Sequence, residues 1–211
     1  MYRFKLLLIA LFAMAGANAW AVDFKFDTQP FAGTPVLTIP GRQIVGGEQF
    51  LPGFNFNRDT LVFNGEAFQM GNQVNFANGL ANTLPTGGAN VIVLQTTDND
   101  NNPATPFGAS NAADLIAARV TQPGAGVFIF MNNDLNLREL AFSSDLSDNI
   151  SDIRILARFL DPMGQAAINT LPNFTAGDFR ITSVPEPSGG ALLGAGLVVV
   201  SVVLGWRTRR R

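Results

Sequence analysis

The residues best suited to bind a metal ion lie in one polar stretch, residues 98–102, with the sequence Asp-Asn-Asp-Asn-Asn. Hard Ca²⁺ takes about six to eight oxygen ligands, and side-chain oxygens fall at alternate positions of this stretch, on Asp98, Asp100 and Asn102. The stretch departs from an EF-hand loop, because Pro103 replaces the turn glycine and Ala109 the closing glutamate. The sequence predicts an irregular calcium loop completed by a carboxylate from elsewhere, with a solvated turn as the alternative.

Catalytic chemistry is restricted by two residue types that the sequence lacks, histidine and cysteine. The usual zinc sites, Ser-His-Asp and Cys-His nucleophiles, and haem or iron–sulfur ligation are therefore excluded. Paired carboxylates of a glycosidase remain an alternative. Most acidic residues, however, lie in Asn- and Ser-rich segments such as residues 144–149, which are typical of turns. We expect a protein that is not an enzyme, with no catalytic residue and no cofactor apart from the calcium candidate.

The C-terminal segment combines three features in a fixed order. A Pro-Glu-Pro turn is followed by an uncharged apolar run at residues 190–206 and an arginine-rich tail at 207–211. The turn consists of Val184, Pro185, Glu186 and Pro187. Its prolines favour an exposed, extended joint. As a helix the apolar run measures roughly 25 Å, just enough to span a bilayer. The tail arginines are expected to stay cytoplasmic, and they are Arg207, Arg209, Arg210 and Arg211.

This order of features resembles the PEP-CTERM sorting signal of exopolysaccharide-producing Gram-negative bacteria. The resemblance covers residues 184–211. It implies that a membrane-embedded transpeptidase-like enzyme, exosortase, recognises the Pro-Glu-Pro motif and removes the helix and basic tail. The alternative is an ordinary membrane anchor preceded by two prolines.

The N-terminus, residues 1–21, has the features of a secretory signal peptide. Two basic residues precede a short apolar run, and small residues then supply an A-x-A cleavage site for signal peptidase. Cleavage after Ala19 and cleavage after Ala21 both fit this pattern. A single exported domain, residues 22–183, remains between the two signals.

The charge and aromatic content of this domain limit its partners. It keeps 8 basic and 15 acidic residues, a net charge of −7, so nucleic acid is not an expected partner. All 16 of its aromatic residues are phenylalanine, which lacks the polar group with which tyrosine and tryptophan line sugar-binding faces. Phenylalanines at β spacing are therefore predicted to be core residues, and this weakens a carbohydrate-binding hypothesis without removing it.

Short runs of β-branched and aromatic residues between Asn- and Gly-rich turns predict an all-β domain. Asn64-Gly65 predicts a type I′ hairpin that opens a meander. In residues 153–160, strict alternation predicts one apolar face and one face with two arginines. Two short helices are expected, at residues 112–119 after a Ser110-Asn111 cap and at residues 164–171. We predict one β-sandwich, jelly-roll-like, with these helices on its rim.

These observations predict a non-catalytic surface or extracellular-matrix protein. It would be exported across the inner membrane, held there transiently by residues 190–206, processed by exosortase, and then released or attached to the exopolysaccharide layer. The alternative function is a carbohydrate- or calcium-dependent binding module of the same fold, associated with exopolysaccharide.

Overall fold

The computed structural model describes residues 20–34, 41–102 and 104–183. The predicted signal peptide up to Ala19, the sorting motif, the apolar run and the arginine tail lie outside the described residues. Ten strands are present in the described part of the chain: β1 Asp23–Phe26, β2 Ile44–Val45, β3 Gln49–Leu51, β4 Thr60–Asn64, β5 Phe76–Gly79, β6 Val91–Leu94, β7 Gly126–Asn132, β8 Leu137–Ser143, β9 Ile153–Phe159 and β10 Phe179–Thr182.

Two short helices accompany the strands, α1 Ala109–Ala117 and α2 Gly164–Thr170. The prediction of a mainly-β domain with two short helices is therefore confirmed. Helix α1 begins before the expected Ser110-Asn111 cap, because the Asn111 side chain accepts the Gly108 N–H at 3.1 Å and so caps the chain one turn earlier. Within the described residues, neither helix is long and apolar enough to cross a bilayer.

The strands form two sheets. The smaller sheet has the order β1-β4-β10, and both of its strand pairs are parallel. The larger sheet has the order β2-β9-β8-β7-β6-β5, and β3 also pairs with β9 beyond β2. Among the described residues only β7–β8 and β8–β9 pair antiparallel. Parallel pairs need long crossover connections, so few of these strands are joined by tight hairpins.

The hairpin predicted at Asn64-Gly65 is wrong. Neither residue has the positive φ that a type I′ turn requires. After β4 the chain coils through residues 65–69, where the Phe68 N–H donates to the Asn64 carbonyl and the Met70 N–H to the Gly65 carbonyl. Strand β4 is already paired on both edges, by β1 and β10, so the segment that follows it has no free edge to join.

The larger sheet is apolar on both faces, as its central strand shows. Along β7, Val127, Ile129 and Met131 belong to one buried cluster, whereas Phe128 and Phe130 belong to a second. A strand buried on both faces is a continuous apolar run, as here, rather than an alternating one. The larger sheet is therefore the middle of three layers.

The two outer layers differ in kind. The smaller sheet covers one face with side chains that include Phe26, Leu61, Phe63 and Phe179. Helix α1 covers the other face through its small apolar residues, which include Ala112 and Ile116. Burial of a large apolar side chain such as Phe26 or Ile116 contributes about 1.5–3 kcal/mol to stability. Both outer layers therefore stabilise the fold substantially.

The alternation predicted along β9 is interrupted by a bulge. Ala157 and Ile155 pair with consecutive residues of β8, so Leu156 is an extra residue in β9. A bulge shifts the side chains beyond it to the opposite face. Accordingly Ile153 and Ile155 pack on the α1 side, whereas Ala157 and Phe159 pack between the sheets. The prediction of a single apolar face is wrong, and the two arginines of β9 lie on opposite faces.

Candidate functional site

The predicted calcium loop is exposed and is held by hydrogen bonds to its own backbone. Asp98 Oδ1 accepts the N–H groups of Asp100 and Asn101, both at 2.9 Å, and Asp100 Oδ1 accepts the Asn102 N–H at 2.9 Å. Asn102 Oδ1 in turn accepts the Ala104 N–H at 3.2 Å. The backbone donor of Asp100 lowers the pKa of Asp98, which keeps this carboxylate charged.

Each of the three proposed ligands, Asp98, Asp100 and Asn102, thus uses one oxygen to cap a turn. The described residues contain no cluster of three Asp, Glu, His or Cys side chains of the kind that could hold a metal ion. No carboxylate from elsewhere is seen to complete the loop in that part of the chain. Hydrogen bonds within the loop complete these turns, and the calcium site stays a prediction.

A cleft of about 300 Å³ lies between β1 and the β9 edge of the larger sheet. Its polar lining comes from three parts of the chain: Lys25 and Asp27 at the end of β1, Gln49 of β3, and Arg154 of β9. Phe68 and Leu156 are among its apolar lining residues.

Neither cation of the cleft is neutralised by a direct contact. The side chains of Lys25 and Arg154 form no hydrogen bond or ion pair within residues 20–34, 41–102 and 104–183. Gly47, in the turn between β2 and β3, passes close beneath the guanidinium, since a Cβ there would lie 2.7 Å from Arg154 Nη2. The backbone therefore holds Arg154 at the cleft. Two acidic groups lie near these cations, because Asp27 lines the same cleft and Arg154 is close enough to Glu48 to lower the pKa of its carboxyl group.

On the opposite face of β9, Arg158 joins two carboxylates. Its Nη2 lies 2.9 Å from Glu48 Oε1 and its Nε lies 2.9 Å from Glu139 Oε1. Asn132 Nδ2 donates to the second Glu139 oxygen at 2.9 Å. The three charged residues, the Arg158 cluster, connect β8, β9 and the turn before β3.

In the Arg158 cluster two carboxylates contact one guanidinium, and paired carboxylates are what a glycosidase would require. Burial opposes ionisation of Glu48, but the backbone N–H groups of Glu48 and Gly47, helped by Arg158 and Arg154, lower its pKa below the usual value. A general acid needs a raised pKa instead. The cluster therefore resembles a structural ion pair network that fastens the turn before β3 to the sheet.

Comparison with known proteins adds no relative. No protein-family model, functionally described protein or solved structure matches this chain. The function must therefore be inferred from the residues themselves.

The first and last strands of the described residues lie close to the two predicted signals. Strand β1 starts at Asp23, directly after the predicted signal peptide, and β10 ends at Thr182. Thr182 is fixed on both sides: its carbonyl accepts the Gly65 N–H at 2.9 Å, and its Oγ1 donates to the Phe63 carbonyl at 3.2 Å. Ordered pairing thus continues to within two residues of the sorting motif.

No local sequence signal pointed to the cleft. Its polar residues are separated by up to 129 positions, from Lys25 to Arg154, and only the packing of β1 against β9 brings them together. The one available hint was charge, because Lys25 is the only lysine of the exported domain and Arg154 interrupts an apolar strand.

Proposed function

We propose that this chain is an exported, non-catalytic surface or extracellular-matrix protein that exosortase processes at residues 184–187. The observation that carries the proposal is the order of a Pro-Glu-Pro turn, an uncharged apolar run and an arginine-rich tail in residues 184–211. The described strands, from Asp23 to Thr182, lie between this segment and the predicted leader. A folded unit that fills the interval between a leader and a sorting signal is what an exosortase substrate requires. Its role is structural, a stable acidic mainly-β domain presented outside the cell.

The topology of the smaller sheet supports a sequence in which the whole domain is exported first and the motif at residues 184–187 is processed afterwards. Its central strand, β4, has β1 on one edge and β10 on the other, so the sheet is complete only when both ends of the domain have been exported. Residues 183–189 then separate β10 from the apolar run. At no more than about 3.4 Å per residue, a segment of seven residues can span at most roughly 24 Å between the domain and the membrane.

The first prediction concerns processing. We expect the exported protein to lose residues after the Pro-Glu-Pro motif only in a host that carries exosortase, and to leave the inner membrane only there. Replacing Pro185, Glu186 and Pro187 together with alanine should retain the full basic tail and keep the protein in the membrane. Intact mass spectrometry of fractionated cells measures both results.

Glu66→Ala is the matched control, because Glu66 is an exposed carboxylate of the domain and is not part of the motif. It should be processed as the unchanged protein is. If the tail persists in both hosts, the chain is a membrane-anchored periplasmic domain and the sorting proposal fails.

The cleft favours a second candidate function, binding of an acidic polysaccharide. Lys25 and Arg154 present two cationic groups that make no direct ion pair within the described residues, and Thr28 and Gln49 supply neutral polar groups beside them, although Asp27 and the nearby Glu48 offset part of the positive charge. Such a site would recognise sugar carboxylates through charge-assisted hydrogen bonds rather than through aromatic stacking, which suits a domain whose aromatics are all phenylalanine.

The second prediction tests this candidate with a uronate-containing polysaccharide and a neutral glucan as probes. Arg154→Ala and Lys25→Ala should each weaken uronate binding about tenfold, since a charge-assisted hydrogen bond contributes about 1.5–3 kcal/mol. Arg180→Ala should have little effect, because Arg180 does not line the cleft and pairs with Asp23 across β4 of the smaller sheet. Binding isotherms at low salt and at high salt provide the measurement.

A chelator separates this mechanism from the calcium alternative. If EDTA abolishes binding and Asp98→Asn does the same, the calcium loop binds the sugar and the cleft does not. If neither polysaccharide binds in either condition, the purely structural role stands.

A further inference from the structure

Val22 is the first residue that the fold holds in place. Its N–H donates to Asp59 Oδ1 at 3.1 Å, and its carbonyl accepts the Thr60 N–H at 2.9 Å. The preceding Trp20, in contrast, is 86% exposed, a large apolar side chain left in solvent. Within the described residues, backbone hydrogen bonding of the N-terminal segment therefore begins at Val22.

Asp59, the acceptor of the Val22 N–H, is a buried carboxylate with 3% of its surface exposed. Oδ1 also accepts Arg58 Nε at 3.0 Å, and Oδ2 accepts the Asn55 N–H at 3.0 Å. Burial opposes its ionisation, yet these donors, led by Arg58, hold the pKa of Asp59 below its usual value. The carboxylate is thus charged and directed at the nitrogen of Val22.

We propose that signal peptidase cleaves between Ala21 and Val22, and that the α-ammonium group so formed stays bound to the carboxylate of Asp59. This inference rests on the signal peptide of the proposed function. Water adds across the Ala21–Val22 peptide bond: its hydroxyl goes to the Ala21 carbonyl carbon, and its hydrogen to the Val22 nitrogen. The new carboxylic acid releases a proton, and the amine takes one up.

Two observations favour this bond over the one after Ala19. Cleavage after Ala21 removes Trp20, whereas cleavage after Ala19 leaves this exposed side chain at the new terminus. Cleavage after Ala21 also replaces a neutral N–H donor with a charged one at 3.1 Å from a buried anion, and charge-assisted hydrogen bonds are roughly twice as strong as neutral ones.

The ion pair has a definite pH dependence. Arg58 and Asp59 face the Val22 nitrogen from the loop before β4, Asp23 and Lys25 follow it on β1, and β4 itself carries no charged side chain. A nearby anion raises the pKa of an amine above its unfolded value of about 7.7–8.0. The stabilisation is therefore complete below about pH 7.7 and is lost as the pH rises through the folded pKa.

The first test is the N-terminal mass of the full chain exported with its own leader by a Gram-negative host. A mature protein that begins at Val22 supports the inference. One that begins at Trp20 overturns it but leaves export intact. An uncleaved leader overturns both the inference and the signal-peptide part of the proposed function.

The second test measures the amine itself. A protein that begins at Val22 has only two reactive amines, the α-amine and Lys25, so acetylation can be followed at each by mass spectrometry. At pH 7 the α-amine should react about tenfold more slowly than in Asp59→Asn, the equivalent of one pKa unit. Lys25 should react equally in both proteins, which makes it an internal control.

Equal α-amine rates in the two proteins would overturn the ion pair. Should Asp59→Asn fail to fold, the unchanged protein is compared in buffer and in urea. The α-amine should then be acetylated about tenfold more slowly in the folded protein than in urea. Equal acetylation rates in the two states, after correction with the rate of Lys25, would again contradict the proposal.

Discussion

Replacing Arg138 with alanine is expected to lower the free energy of unfolding by about 3 kcal/mol, whereas replacing it with methionine should leave stability unchanged or raise it. Arg138 is fully buried, in the core between the two sheets. Alanine would leave a cavity in this core. Methionine fills a similar volume without burying a charge, and its flexible chain adapts to irregular surroundings.

The environment of Arg138 explains why its charge is costly. Nη2 donates to the Asp161 carbonyl at 2.8 Å, but Nε and Nη1 have no hydrogen-bond partner in the described part of the chain. Its guanidinium carbon lies 5.0, 5.5 and 5.9 Å from the ring centres of Phe159, Phe56 and Phe174, respectively. These cation–π contacts offset part of the desolvation cost, and no carboxylate forms an ion pair with this side chain in the described residues.

Burial lowers the pKa of Arg138 to about 10, and this gives the substitution a pH signature. A cation whose pKa is depressed by folding destabilises the native state fully below that pKa, and the cost is relieved as the pH rises from about 10 toward the unfolded value. The advantage of Arg138→Met should therefore shrink above about pH 10. Urea unfolding on either side of that pH measures it. A methionine variant as unstable as the alanine variant would show that the charge stabilises the fold.

A second large effect is expected at Gly65. A Cβ at this position would lie 1.9 Å from the Gly71 carbonyl oxygen and 2.7 Å from Ile181 Cγ2. Because the nearest atom belongs to the backbone, it cannot move aside as the end of a side chain can. Gly65→Ala should therefore cost about 3 kcal/mol, at the upper end for overpacking, and separate β10 from the turn after β4.

Gly124→Ala is the matched control for this substitution. A methyl group at Gly124 would have no atom within 4 Å, and this residue, like Gly65, does not adopt a positive φ. Its replacement should change stability by less than about 0.5 kcal/mol. Thermal unfolding of both variants measures the difference. Equal stabilities would mean that the chain after β4 does not pass as close to Gly71 as the structure has it.

Gly65 also illustrates why local sequence signals failed at particular places. Asn-Gly is the strongest short hairpin signal, yet here the glycine is needed for the close approach of the Gly71 carbonyl and not for a left-handed turn. A close backbone approach and a left-handed turn both select glycine. Only the position of β10, which comes more than a hundred residues later and occupies the free edge of β4, distinguishes them.

The bulge at Leu156 is a second such place. Apolar residues at 153, 155, 157 and 159 fit a single buried face, but both faces of the larger sheet are buried, so an apolar residue satisfies either one. The alternation of residue types along β9 therefore carries no information about how β9 is aligned with β8. The position of the two β9 arginines, one in the cleft and one in the Arg158 cluster, followed from that register.

Composition and the periodicity of neighbouring residues were sufficient to predict the mainly-β class and the two short helices. The export and sorting hypothesis also comes from linear motifs. Three arrangements, in contrast, required the packed structure: the parallel pairing of the strands, the approach of Lys25 to Arg154, and the contact between Val22 and Asp59. Each joins residues far apart in the chain, and its energy comes from burial between elements that no local pattern encodes.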